Sequence, residues 1–188
     1  MDTNSLLLVA IGLSMDAFAV AIGRGTVISR GNRVRGALAM ALAFGAFQAL
    51  MPLAGWYVGS GVARIFGEIG HWIAFLLLAG IGGRMVHDSF SADRGSTEPV
   101  LSARLLLLLA LATSIDALVA GVGLRLADPA TSIVRAALMI GFVTFALSLA
   151  GGLAGSRLGE RFGRSMEALG GIVLVAIGLR ILVSNLNG

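Results

Sequence analysis

Cysteine is absent from the 188 residues, which excludes disulfides, thiolate metal sites and cysteine nucleophiles. Charge is scarce: 13% of the residues are charged, against about 25% in ordinary soluble domains. Lysine is missing, and all 14 basic residues are arginine. The two histidines, His71 and His87, are not at His-x-x-x-His spacing and offer no imidazole pair to a metal. No Walker sequence is present to cradle ATP, and no His–Glu or Ser–His/Lys set lies within an apolar run to support catalysis. Neither an enzyme nor a resident cofactor is expected. A net charge of +4 would raise nucleic-acid binding in a soluble chain. Here the arginines sit in the breaks between apolar runs with no interleaved aromatics, so no nucleic-acid partner is expected.

What is present is apolar. Hydrophobic residues make up 57% of the chain and the mean hydropathy is +0.93, a composition that leaves a soluble monomer without a polar coat. The lipid bilayer is the natural solvent. The 27 glycines, which weaken soluble helices, let membrane helices approach closely. Apolar runs of about 17–22 residues match a hydrocarbon core of about 30 Å. Six can be read, at about Leu6–Gly23, Gly36–Val58, His71–Val86, Ala103–Leu124, Ala136–Gly155 and Ala168–Ser184. Met1–Ser5 carries no basic region, so the first run is read as a span rather than a cleaved signal peptide. Trp56, Tyr57 and Trp72 fall at predicted outer span ends, where aromatic belts form.

Orientation follows from the arginines. Arg24, Arg30, Arg33, Arg35, Arg84, Arg94, Arg104, Arg157, Arg161 and Arg164 lie in or beside odd-numbered connectors; only Arg64, Arg125, Arg135 and Arg180 are assigned to the other side. Basic loops stay cytoplasmic, so both termini are expected to be periplasmic.

The halves of the chain repeat at a shift of 100 residues. Ser14, Asp16, Ala17 and Gly23 correspond to Ser114, Asp116, Ala117 and Gly123; Arg35, Ala46 and Gly55 correspond to Arg135, Ala146 and Gly155. Beyond residue 60 the shift becomes 96, pairing Arg84 with Arg180. The sequence therefore predicts an all-α integral membrane protein, a single transmembrane domain over 1–188. Repeat one covers about 1–90, a cytoplasmic linker about 87–102, and repeat two about 103–188. Three spans per repeat is an odd number, so the second repeat must insert upside down. That is the inverted-repeat plan of many secondary transporters, whose sites lie near the midplane.

Asp16 and Asp116 are the only acidic residues inside the predicted spans, and no arginine is expected at their depth. A charged aspartate there normally faces a cavity or a partner. Gly12, Asp16, Ala19 and Gly23 share one helical face, and so do Thr113, Asp116 and Ala120. Two carboxylates with nearby neutral oxygens form a hard-oxygen site whose charge balances one divalent cation. Once emptied, such a pair is expected to take up a proton. Gln48 and its repeat mate Ser148, with Thr144 one turn earlier, are candidate neutral ligands, as is Thr113. Met15 offers a thioether that favours transition metals. Ser14 and Ser114 are expected to bond back to their own helices. Pro52, one turn after Gln48, is expected to break the second span. The residues alone reach a divalent-cation or small-solute transporter; a non-transporting membrane assembly protein is the alternative class.

The runs Ser14-Met15-Asp16-Ala17-Phe18-Ala19, Pro52-Leu53-Ala54-Gly55-Trp56, His71-Trp72-Ile73-Ala74-Phe75 and Ala112-Thr113-Ser114-Ile115-Asp116-Ala117 resemble the MntP manganese exporters. That family is one of small efflux proteins of the bacterial inner membrane, related to the lysine-exporter superfamily. The resemblance covers essentially the whole chain. It implies export of Mn²⁺ from the cytoplasm, with Asp16 and Asp116 at the positions the family needs; H⁺ as the coupling partner is expected from the carboxylate pair alone. Some members carry an acidic residue where this chain has Gln48. Export of another divalent cation or of a small basic solute is the alternative within transport.

Overall fold

Residues with nothing but hydrocarbon around them must satisfy their backbone internally, and a helix does this within one segment. All regular secondary structure in the computed structural model is helical among the residues it describes, which are 3–58, 72, 75–76, 78–87, 89–90, 102–127, 132–162 and 164–186. Helix α1 spans Thr3–Gly25 and, after a 3₁₀ turn at Arg30–Asn32, α2 spans Arg33–Val58. Helix α3 is described over 78–87. Then come α4 (Ala103–Ala112), α5 (Ile115–Ala127), α6 (Ile133–Phe162) and α7 (Arg164–Leu186).

Among the described residues, four helical stretches are long and apolar enough to cross a membrane: Thr3–Gly25, Arg30–Tyr57, Ala103–Arg125 and Ile133–Leu158. They answer to predicted spans one, two, four and five. The sixth predicted span lies within α7, whose apolar part runs over Ala168–Ile177. Four residues of the third span, His71, Ile73, Ala74 and Leu77, and most of the linker after His87 lie outside the described residues. Large apolar side chains such as Leu8, Leu138 and Phe142 stay exposed on the outside of the bundle, as lipid permits and water does not.

The expectation about helix continuity is overturned. Helix α2 runs unbroken through Pro52. The proline removes one backbone donor, yet the helix is held there by α5, whose Gly121 lies directly against the Pro52 backbone. The interruption falls instead in the fourth span, at Thr113–Ser114. There the Thr113 hydroxyl donates to the Leu109 and Ala110 carbonyls at 2.9 and 3.3 Å, and the Ser114 N–H turns to the Leu111 carbonyl. Local side-chain bonds compete with the helical ladder, and here they win.

Helix α6 is central, packing most extensively on α1 and α2; α2 also packs on α4 and α5. The contacts echo the sequence repeat. Gly155 of α6 lies against the Ile22 carbonyl of α1, and Gly55 of α2 lies against Leu118 and Val122 of α5. Burial along 34–50 in α2 matches burial along 134–150 in α6 at every position except Gly45 and Phe145. The core between these helices is built around Phe44, with Ala17, Val20, Met40, Leu109, Ala110 and Leu174.

Candidate metal site

Asp16 rides on an unbroken helix tied to two neighbours one turn before the carboxylate. Gln48 of α2 donates its Nε2–H to the Leu13 carbonyl at 2.6 Å. The Ser14 hydroxyl donates to the Ala10 carbonyl at 2.6 Å and meets Thr144 Oγ1 of α6 at 2.7 Å. Thr144 donates to the Ile140 carbonyl at 2.8 Å. Each hydroxyl carries one proton, so whichever of the two donates across the Ser14–Thr144 pair gives up the carbonyl of its own helix.

Asp116 is held differently. It lies in the first turn of α5, and its Oδ1 accepts the Ala117 N–H at 2.7 Å. In an uninterrupted helix that N–H would reach back to the Thr113 carbonyl. The two aspartates are half-buried and close enough for each charge to act on the other. Arg180 of α7 is also within electrostatic reach of Asp16, which corrects the expectation that no arginine lies at this depth. A long arginine on a neighbouring helix carries its charge well away from its own backbone level.

Three neutral oxygens in this region are fully buried and have no hydrogen-bond partner: Gln48 Oε1, Ser114 Oγ and Ser148 Oγ. A buried polar atom left unmade costs about 1–3 kcal/mol, so three together call for a ligand or water. Ser148 sits one turn beyond Thr144 on the same buried face of α6. Among the described residues no group of three or more His, Cys, Asp or Glu is assembled. The donor set on offer is therefore two carboxylates and neutral oxygens, the chemistry of a hard divalent cation.

Of the residues singled out in the sequence, the structure associates Asp16 with Asp116, Thr144 with Ser14, and Gln48 with the turn before Asp16. It does not bring Met15 in: that side chain is 49% exposed on the outer face of α1. The Thr113 hydroxyl is buried but committed to its own helix. Ser14 bonds back to its helix as expected; Ser114 does not.

A family model described as "Putative manganese efflux pump" matches residues 31–182. The chain belongs to the MntP family. Similar over full length are three proteins each named "Putative manganese efflux pump MntP". The one from Methanothermobacter thermautotrophicus is 42% identical over 187 residues, covering 100% of this chain and 99% of the relative. That from Methanosarcina mazei is 43% identical, covering 98% and 97%, and that from Crocosphaera subtropica is 43% identical, covering 99% and 98%. No solved structure matches. MntP relatives are archaeal as well as bacterial, which widens the expected bacterial setting. The MntP description is of an ion transporter rather than an enzyme, and with the long apolar helices it makes this chain a multi-pass membrane protein.

Proposed function

We propose that this MntP-family chain is a secondary transporter that exports Mn²⁺ from the cytoplasm, with the ion held between Asp16 and Asp116. Gln48 Oε1 and Ser148 Oγ supply neutral oxygens, and alternating access runs between two inverted three-span repeats. The observation that supports the reading is the pair of repeat-related carboxylates within electrostatic reach of each other, with buried unpartnered oxygens at Gln48, Ser114 and Ser148 on the same or adjoining helices. Two carboxylates cancel the charge of one divalent ion; four or five oxygens from the protein with retained water complete a six-coordinate shell.

Matched approaches of Gly155 to Ile22 and of Gly55 to Leu118 support the inverted repeat, because each repeat's second span receives the first span of the other. Proton coupling follows from the empty site. Two facing carboxylates without the ion repel, and a proton shared between them relieves that repulsion. Arg180 offsets part of the charge at Asp16. The proton enters from outside, returns inward and leaves when Mn²⁺ displaces it.

The test is metal content and growth on graded MnCl₂ in cells stripped of their own exporter. The wild-type chain should restore growth and lower cell manganese. Asp16→Asn and Asp116→Asn should each lose that protection while still inserting in the membrane. Full protection by either variant would show the carboxylates to be structural.

A further inference from the structure

The two halves of the sequence repeat are not held alike. The turn before Asp16 is tied to α2 through Gln48 Nε2 and the Leu13 carbonyl, and to α6 through Ser14 and Thr144. The repeat mates of these four residues are Ser148, Thr113, Ser114 and Phe44. Serine at 148 is too short to bridge as Gln48 does, and its hydroxyl has no partner. Phenylalanine at 44 has no hydroxyl to offer, and Ser114 Oγ, fully buried, is left without a partner. Phe44 packs in the same core as Leu109 and Ala110 of α4, so it does occupy the side facing the interruption. Both ties that fix the first half are missing in the second, and it is there that the helix breaks, at Thr113–Ser114.

We infer that Ser14, Thr144 and the Gln48 amide are positioning residues that make Asp16 the fixed ligand, and that the untied break at Thr113–Ser114 makes Asp116 the moving one. The inference rests on the proposed function and deepens it, assigning unequal roles to two carboxylates that the repeat makes look equivalent. Asp116 is held by the Ala117 N–H. A cation arriving at Asp16 draws that carboxylate off the backbone. Ala117 N–H is then free to close the ladder onto the Thr113 carbonyl, and α4 and α5 move toward one continuous helix. The motion stays in the second half because α1 remains bound to α2 and α6.

The replacement of a hydroxyl partner by Phe44 gives the experiment. Phe44→Thr supplies Ser114 with the partner that Ser14 has in Thr144, and Phe44→Val opens nearly the same space without the hydroxyl. In proteoliposomes loaded with each variant, Phe44→Thr should lower the maximal rate of Mn²⁺ uptake by about three- to tenfold relative to Phe44→Val, the scale of one interhelical hydrogen bond in a membrane. Apparent Mn²⁺ affinity should stay unchanged, and adding Ser114→Ala to Phe44→Thr should restore the rate. Thr144→Val should instead weaken Mn²⁺ affinity, with Thr144→Ser recovering it. Equal rates for Phe44→Thr and Phe44→Val would overturn the inference.

Hydrogen exchange of the wild-type chain in nanodiscs keeps the question open to test if those variants do not fold. Amides of 112–117 should exchange faster than those of 12–17 and gain protection on adding MnCl₂, while 12–17 do not change. Equal exchange in the two stretches, or protection gained in both, would overturn it. Wild-type liposomes that carry no Mn²⁺ would refute the transport reading itself, while the exchange comparison without metal would still report on the ties.

Discussion

An aspartate at the centre of a membrane span costs about 2.5–3.5 kcal/mol on insertion scales, so two of them need a return. In the proposed site that return at Asp16 and Asp116 is the charge of a bound cation, and the neutral oxygens proposed as ligands divide by reach. Gln48 has two roles in one side chain: its nitrogen ties α2 to the Leu13 carbonyl and its oxygen is free. Gln48→Leu, which removes both, should weaken Mn²⁺ binding by about tenfold or more, whereas Ser148→Ala removes one weak ligand and should cost about threefold. Isothermal titration of the purified chain with MnCl₂ checks this order. Gln48→Glu adds a third charge and should tighten binding. The carboxylates were legible in the sequence because an ionised residue stands out in an apolar run. The Ser14–Thr144 pair was not: no periodicity links residues on helices so far apart, and hydroxyls are tolerated singly in membrane helices without announcing a partner.

At the scale of elements, the legible part was span position and the illegible part was continuity. Apolar length fixes where α1 and α2 run to within a few residues, while α6 continues to Phe162, seven residues past the predicted end at Gly155. Continuity depends on which local bond wins, and Pro52 misleads because tertiary packing by α5 holds α2 straight where the missing donor would loosen it. Thr113 and Ser114 carry no such obvious signal, since both residue types are compatible with an unbroken helix, as Ser14 and Thr144 are with their hydroxyls on carbonyls one turn back. Helix pairing was half legible. The shared glycines of the repeat mark close approaches, and a β-carbon at Gly55 or Gly155 would meet backbone of the facing helix. Gly55→Ala and Gly155→Ala should each lower stability by about 1–3 kcal/mol through overpacking. Gly83→Ala, with nothing near it, should be neutral or slightly stabilising, as helix propensity favours alanine. Thermal unfolding in detergent micelles reads all three; loss at Gly155 with none at Gly55 would argue against equivalent helix crossings.

For the whole molecule, the proposed orientation rests on the arginine distribution and the proposed mechanism on the repeat. The lack of cysteine makes orientation easy to test. Single cysteines at Gly31, Ser96 and Ser165 should resist an impermeant thiol reagent added outside intact cells, and those at Asn4, Gly67 and Asp128 should react. Comparable labelling of both sets would overturn the inverted arrangement.

The central claim is that Mn²⁺ and H⁺ exchange across one pair of carboxylates, and Mn²⁺ uptake into proteoliposomes under an imposed pH gradient tests it most directly. Protons and metal compete for the same oxygens, so acid weakens metal binding, and apparent affinity should rise as pH goes from about 5 to 8. Uptake into the lumen should accelerate when the metal-donating side is alkaline, with proton movement opposite to the metal, and Asp16→Asn and Asp116→Asn should abolish both fluxes. Uptake indifferent to the gradient, or persisting in either variant, would contradict the account.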